Sequence, residues 1–238
     1  MNSLVLLHGA LGSAEDLNLL AKHPFGAAIR LYPFTFKGHG KKDMKGRFGI
    51  GAFSDELLAF ISKENIQQPF VFGYSMGGYV ALDAALKAKA AFSGIITLGT
   101  KFKWSEDFTS KETAKLQPDV LLQKAPDFVS LLKQKHGPAW ESLLSQTAEM
   151  MKDLQTTHIP FMHALSAIKI PVAIGRGDKD KMVTEKESRM AQQYIDGADY
   201  FELPDSSHGF ESINHKALAE LIIDFMRKNN TNEAPANG

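Results

Sequence analysis

Phe70-Val71-Phe72-Gly73-Tyr74-Ser75-Met76-Gly77-Gly78 carries an apolar β-type run into a helical stretch, Tyr79 to Lys89, and so sets one serine on a sharp strand-to-helix turn. Such a turn strains the serine's backbone. It also brings strand and helix so close that Gly73 and Gly77 are needed where a side chain would clash. From this position the Ser75 hydroxyl projects beyond the sheet as a candidate nucleophile. The Met76 amide, at the positive end of the helix, faces the place where an attacked carbonyl oxygen becomes negative.

Outward from this turn, short β-type runs alternate with helical patterns. Strands are expected near Leu4–Leu7, Ala28–Tyr32, Phe70–Phe72, Ile95–Leu98, Val172–Ile174 and Tyr200–Leu203. Helices are expected near Ala14–Ala21, Ser54–Glu64, Gly77–Lys89, Glu185–Tyr194 and Lys216–Lys228. The alternation predicts an α/β fold, a mostly parallel sheet of about six strands with helices on both faces. Ligands of such sheets bind beyond the carboxyl ends of the strands, where Ser75 sits. Between Gly99 and Ile170 the pattern is helical without a clear strand, which reads as a helical cap insertion. The expected organisation is a core of residues 1–100 and 167–228, a cap of residues 101–166, and a loose polar tail of residues 229–238.

Composition narrows the function. With 238 residues and 44% hydrophobic side chains, the chain buries enough surface for one sizeable core. Its 27 basic and 27 acidic residues cancel, and no basic stripe is interleaved with aromatics, so neither nucleic acid nor an anionic membrane is an expected partner. A small-molecule acyl substrate fits better. The absence of cysteine rules out a disulfide framework, thiol catalysis and thiolate metal sites. Met1 to His8 lacks a charged n-region and its apolar stretch is short, so a cytoplasmic location is expected.

A hydroxyl needs a base to take its proton and a carboxylate to orient that base. Asp205-Ser206-Ser207-His208-Gly209-Phe210 follows the last strand and offers His208 as the base. His23, His136 and His215 lie in helical or hydrophilic surroundings that suggest solvent exposure, and His158 and His163 belong to the insertion. Gly175-Arg176-Gly177-Asp178-Lys179-Asp180 ends the strand at Val172–Ile174 and offers two carboxylates, either of which could serve. Counted as a calcium loop from Asp178, the stretch has Val183 where glycine is required and Arg189 where a bidentate glutamate is required, so no metal is assigned.

Together, His8-Gly9, Gly38-His39-Gly40, Gly73 to Gly78, the Asp180 loop and His208 resemble the α/β-hydrolase fold superfamily over roughly Leu4 to Arg227. The likeness is greatest to small bacterial capped members. These include carboxylesterase-like and carbon-carbon-bond hydrolases, and the menaquinone-pathway synthases that use a similar triad for elimination. The resemblance implies a Ser75, Asp180, His208 triad in that chain order, with Asp178 serving its own loop. It also implies a second oxyanion donor, the Ala10 or Leu11 amide, from the loop after the first strand, and a loop-organising rather than proton-carrying His8. Three departures stand out: the chain opens directly on the His8-Gly9 strand, Tyr79 stands where the synthases usually carry arginine, and Thr184 replaces a frequent proline.

The expected activity is that of a cofactor-free serine hydrolase acting on a small ester or thioester through an acyl-enzyme. Catalysis falls to Ser75, Asp180 and His208, the oxyanion hole to Ala10 and Met76, and substrate contact to Leu11, Tyr74, Trp104, Phe128 and Phe161. Alternatives on the same fold are carbon-carbon hydrolase or lyase chemistry and a non-catalytic ligand-binding module. Positive side chains facing the pocket, among Lys101, Lys103 and Arg176, would favour a carboxylate-bearing substrate; a purely aromatic and methionine lining would favour neutral esters.

Overall fold

The computed structural model describes residues 2–26 and 29–230. Among these, the strands are β1 (Asn2–Leu7), β2 (Ile29–Phe34), β3 (Phe70–Tyr74), β4 (Gly94–Leu98), β5 (Val172–Gly177) and β6 (Asp199–Leu203). The helices, in chain order, are α1 (Asn18–Ala21), α2 (Ile50–Lys63), α3 (Met76–Lys87), α4 (Glu106–Lys115), α5 (Pro118–Lys124), α6 (Pro126–His136), α7 (Trp140–Ala164), α8 (Glu185–Tyr194) and α9 (His215–Lys228). All strand pairs are parallel, and the sheet runs β2-β1-β3-β4-β5-β6.

Alternation along the strands builds two apolar layers. Val5, Leu7, Val71, Ile95 and Ile174 face α2, α3 and α8, meeting Phe53, Leu57, Val80, Ala84 and Ala191. Leu4, Leu6, Phe70, Phe72, Ile96 and Ala173 face the other way, onto Leu20 of α1 and Leu17 just before it and onto Leu218, Ile222 and Phe225 of α9. The chain leaves β1 for β2 on one side and returns to β3 on the other. The loops after β1 and β3 therefore part at a topological switch point, where a parallel sheet opens a crevice.

The departures from expectation have local causes. Ala28, placed in a strand from sequence, lies outside the described residues; β2 then runs on to Phe34 through Pro33, which an edge strand tolerates because one of its sides makes no ladder. The helix expected over Ala14–Ala21 is regular only from Asn18, since the preceding turns close through tighter bonds such as Asp16 N–H to the Ser13 carbonyl at 3.2 Å. Of the expected tail, residues 231–238 lie outside the described residues. Helices α4 to α7 form the insertion between β4 and β5, and Pro118 and Pro126 open α5 and α6, where the missing N–H is harmless. No described helix is long and apolar enough to cross a membrane.

Candidate active site

Ser75 is the residue between β3 and α3, with φ of 51° and ψ of −114°, a left-handed conformation that an L-residue adopts only under constraint. The constraint is visible on every side. Ser75 N–H donates to the Leu98 carbonyl at 2.8 Å, and the Thr100 hydroxyl donates to the Ser75 carbonyl at 3.0 Å. A Cβ on Gly73 would lie 2.5 Å from the Gly77 backbone, and one on Gly77 would lie 2.6 Å from the Leu7 carbonyl oxygen. Gly78, which sequence reading did not single out, is tighter still: a Cβ there would meet Thr100 Oγ1 at 2.1 Å.

His208, in the loop after β6, places Nε2 3.4 Å from Ser75 Oγ and Nδ1 2.8 Å from Asp180 Oδ2. Asp180 follows β5, and its other oxygen accepts the Met182 and Val183 amides at 2.8 and 2.9 Å. Burial by itself would raise the pKa of this carboxyl. The hydrogen bonds from His208 and the two amides outweigh it, leaving the group below its ordinary value and ionised. Asp178 is exposed and turns instead to its neighbours, accepting the Ser206 amide at 3.0 Å. The two loops are joined further by Lys179 N–H to the Ser206 carbonyl at 3.0 Å. Tyr74 secures the histidine from below, its hydroxyl donating to the His208 carbonyl.

The loop after β1 turns at Gly9-Ala10-Leu11-Gly12, closed by Gly12 N–H to the Gly9 carbonyl at 3.1 Å, with Leu11 at φ of 60° in the third position as in a type II turn. His8 organises it. Its Nδ1–H donates to the Gly9 carbonyl at 2.7 Å, and its Nε2 accepts the Phe36 amide at 3.2 Å, so the buried ring is neutral. Desolvation takes its pKa from 6.5 down to about 3. Below pH 6.5 the unfolded chain then binds a proton that the native ring refuses, so stability is complete above pH 6.5 and declines as pH falls toward 3. At pH 5 this one group removes about 2 kcal/mol. Urea unfolding at pH 7 and pH 5 checks it, a flat profile being the contrary result.

Ser75, Ala10, Met76 and His208 line one cavity of about 320 Å³, together with Leu11, Tyr74, Trp104 and Phe128 from the expected contact set. Phe161 stands elsewhere, stacked on Tyr79 with ring centroids 4.0 Å apart, a layer behind the cavity wall. Tyr79, Ile50, Met150, Met151, Leu154 and Met182 make the remaining lining strongly apolar. Both lysines that line it are paired: Lys101 with buried Glu187 at 2.8 Å and Lys115 with Glu112 at 2.6 Å. Arg176 holds the Asp178 and Asp180 carbonyls and Glu202, and Lys103 is exposed. Among the described residues no group of three or more His, Asp or Glu side chains is arranged to hold a metal ion.

His136 corrects the sequence reading. Expected in solvent, it is 3% exposed, because the helical insertion turns it down between the loops after β1 and β2. The signals near it, Lys135 before and Gly137 after, mark only a helix end.

An all-parallel sheet with a strained serine at its switch point and a histidine beyond its last strand defines an α/β-hydrolase. Residues 2–208 match the hydrolase family model described as "Serine aminopeptidase, S33", and the chain belongs to that family. Among curated proteins it is similar to 2-succinyl-6-hydroxy-2,4-cyclohexadiene-1-carboxylate synthase of Yersinia enterocolitica, 23% identical over 94% of this chain and 86% of the relative. In solved structures it shares its fold with a thermophilic esterase from Thermogutta terrifontis (TM-score 0.79, 17% identity, 97% of this chain and 91% of that one). It also shares it with the enol-lactonase from Burkholderia xenovorans LB400 (TM-score 0.75, 18% identity, 95% and 91%).

Proposed function

We propose that this protein is a serine hydrolase of small, neutral esters or thioesters, working through an acyl-enzyme on Ser75. The observation that carries the reading is the continuous chain Ser75 Oγ, His208 Nε2, His208 Nδ1, Asp180 Oδ2, at 3.4 and 2.8 Å. Contacts of this kind tighten as substrate binds. As Oγ attacks the carbonyl carbon, its proton passes to His208 Nε2, and Asp180 stabilises the imidazolium. The Ala10 and Met76 amides hold the oxyanion. Collapse breaks the bond to the leaving oxygen or sulfur, which takes the proton from His208; water then repeats the sequence and frees the acid. In this reading residues 101–166 act as a cap over a core of residues 1–100 and 167–228.

The likeness to the Yersinia synthase supports a second reading, elimination on a carboxylate-bearing substrate with the same triad. The pocket favours the first. Tyr79 stands where those synthases usually carry arginine, the lining lysines are already paired, and Glu112 adds a like charge to the lining, so an entering carboxylate would be desolvated with the Tyr79 hydroxyl as a donor but no unpaired cation. Accordingly, kcat/KM for p-nitrophenyl butyrate is expected to exceed that for the p-nitrophenyl monoester of succinic acid by at least about tenfold. Preference for the succinyl ester would favour the second reading.

A further inference from the structure

The cap reaches into the turn that supplies the proposed oxyanion donor. His136, the last residue of α6, sets Nε2 2.9 Å from the Leu11 carbonyl oxygen and Nδ1 2.9 Å from the Gly40 amide. One ring thus donates to the loop after β1 and accepts from the loop after β2, an arrangement that only the neutral Nε2–H tautomer satisfies. Lys135 adds a second tie, its ammonium 2.6 and 2.7 Å from the Asp16 oxygens, and Asp16 Oδ2 accepts the Ser13 amide at 2.9 Å. The Gly9 to Asp16 segment is therefore gripped from above by two consecutive cap residues. Leu11, inside it, holds φ of 60°, a conformation that a leucine keeps only where its surroundings impose it. The hydrogen bond to its carbonyl fixes the peptide plane that follows Leu11. Through the turn, it also fixes the direction of the amide that precedes it.

We infer that His136 is a positioning residue of the hydrolase: seated on Leu11 and Gly40, it orients the Gly9-Ala10-Leu11-Gly12 turn so that its amide faces the oxyanion, coupling cap seating to catalytic competence. The inference rests on the proposed esterase reading. It assigns His136 no contact with substrate.

His136→Phe keeps a planar ring but removes both hydrogen bonds. It is expected to lower kcat on p-nitrophenyl butyrate about 10- to 100-fold with KM within about twofold, the scale of a misdirected oxyanion donor. His136→Gln, which presents one donor and one acceptor on a planar amide, is expected to recover most of that loss. Hydrogen exchange gives a readout that needs no turnover: amides of residues 9–13 and 38–42 should exchange faster in His136→Phe while the β3–β4 amides stay protected. Lys135→Met, which leaves the buried ring in place, should show the same pattern more weakly, and it stands in if the phenylalanine variant does not fold.

Wild-type exchange at residues 9–13 in these variants would overturn the inference. So would Gln restoring thermal stability but not kcat, or an effect confined to KM. Faster exchange in an otherwise intact protein whose wild type turns over no ester would support the positioning of the turn and reject the esterase reading, so the two failures are distinguishable.

Discussion

Ser75→Ala is expected to lower ester turnover by on the order of a million-fold, a loss of the size seen when a triad nucleophile is removed. The effect should fall on kcat, because the substituted oxygen forms its bond only as reaction proceeds, whereas the apolar lining proposed to hold the acyl group is untouched. Folding should be nearly unaffected. Alanine meets the same backbone conformation at φ of 51° that serine already endures, and the bonds that impose it, to the Leu98 and Thr100 neighbours, use only the main chain of residue 75. Steady-state kinetics and a melting curve on the same preparation separate the two effects. Turnover within tenfold of wild type would remove the hydroxyl from the reaction.

Asp180→Asn is expected to lower kcat by about 10⁴-fold. The carboxylate accepts three hydrogen bonds, from His208 Nδ1 on one oxygen and from the Met182 and Val183 amides on the other. An asparagine has one acceptor oxygen. Facing the two amides with it turns the NH₂ group toward His208, which then carries its proton on Nε2 and can no longer receive the serine's. Asp178→Asn is the control: this exposed side chain accepts the Ser206 amide, an interaction an amide oxygen also makes, so a change below about tenfold is expected. Equal losses from the two substitutions would show that the acid loop acts only as scaffold.

Much of this site could be read from the chain because its constraints are local. Gly73 is required by the contact of β3 with α3, made within five residues, and the serine beside it inherits its position, whereas Gly77 is required by the more distant carbonyls of Leu7 and His8. The strands of the sheet interior were legible for a related reason. Runs such as Phe70-Val71-Phe72 are apolar on both faces because helices cover both sides. The helical insertion was different. Its helices carry apolar residues on several faces, and whether a given ring meets the core, another helix of the insertion or the cavity depends on how four helices settle together. Phe161 and Phe128 look alike in sequence, yet Phe161 stacks on Tyr79 and Phe128 lines the cavity. His136 was misread for the same reason: its partners, Leu11 and Gly40, are 125 and 96 residues away. Local composition around Lys135 and Gly137 describes a solvated helix end, and only the packed fold turns that end inward.

The most direct measurement is intact-mass analysis of the folded protein after exposure to a fluorophosphonate, which phosphonylates a serine only when its hydroxyl is activated. One adduct per chain is expected, carried by the peptide that contains Ser75, with none on the Ser75→Ala variant. An unmodified wild-type protein, or an adduct that persists in the variant, would contradict a nucleophilic Ser75 and leave the ligand-binding reading of this fold in its place.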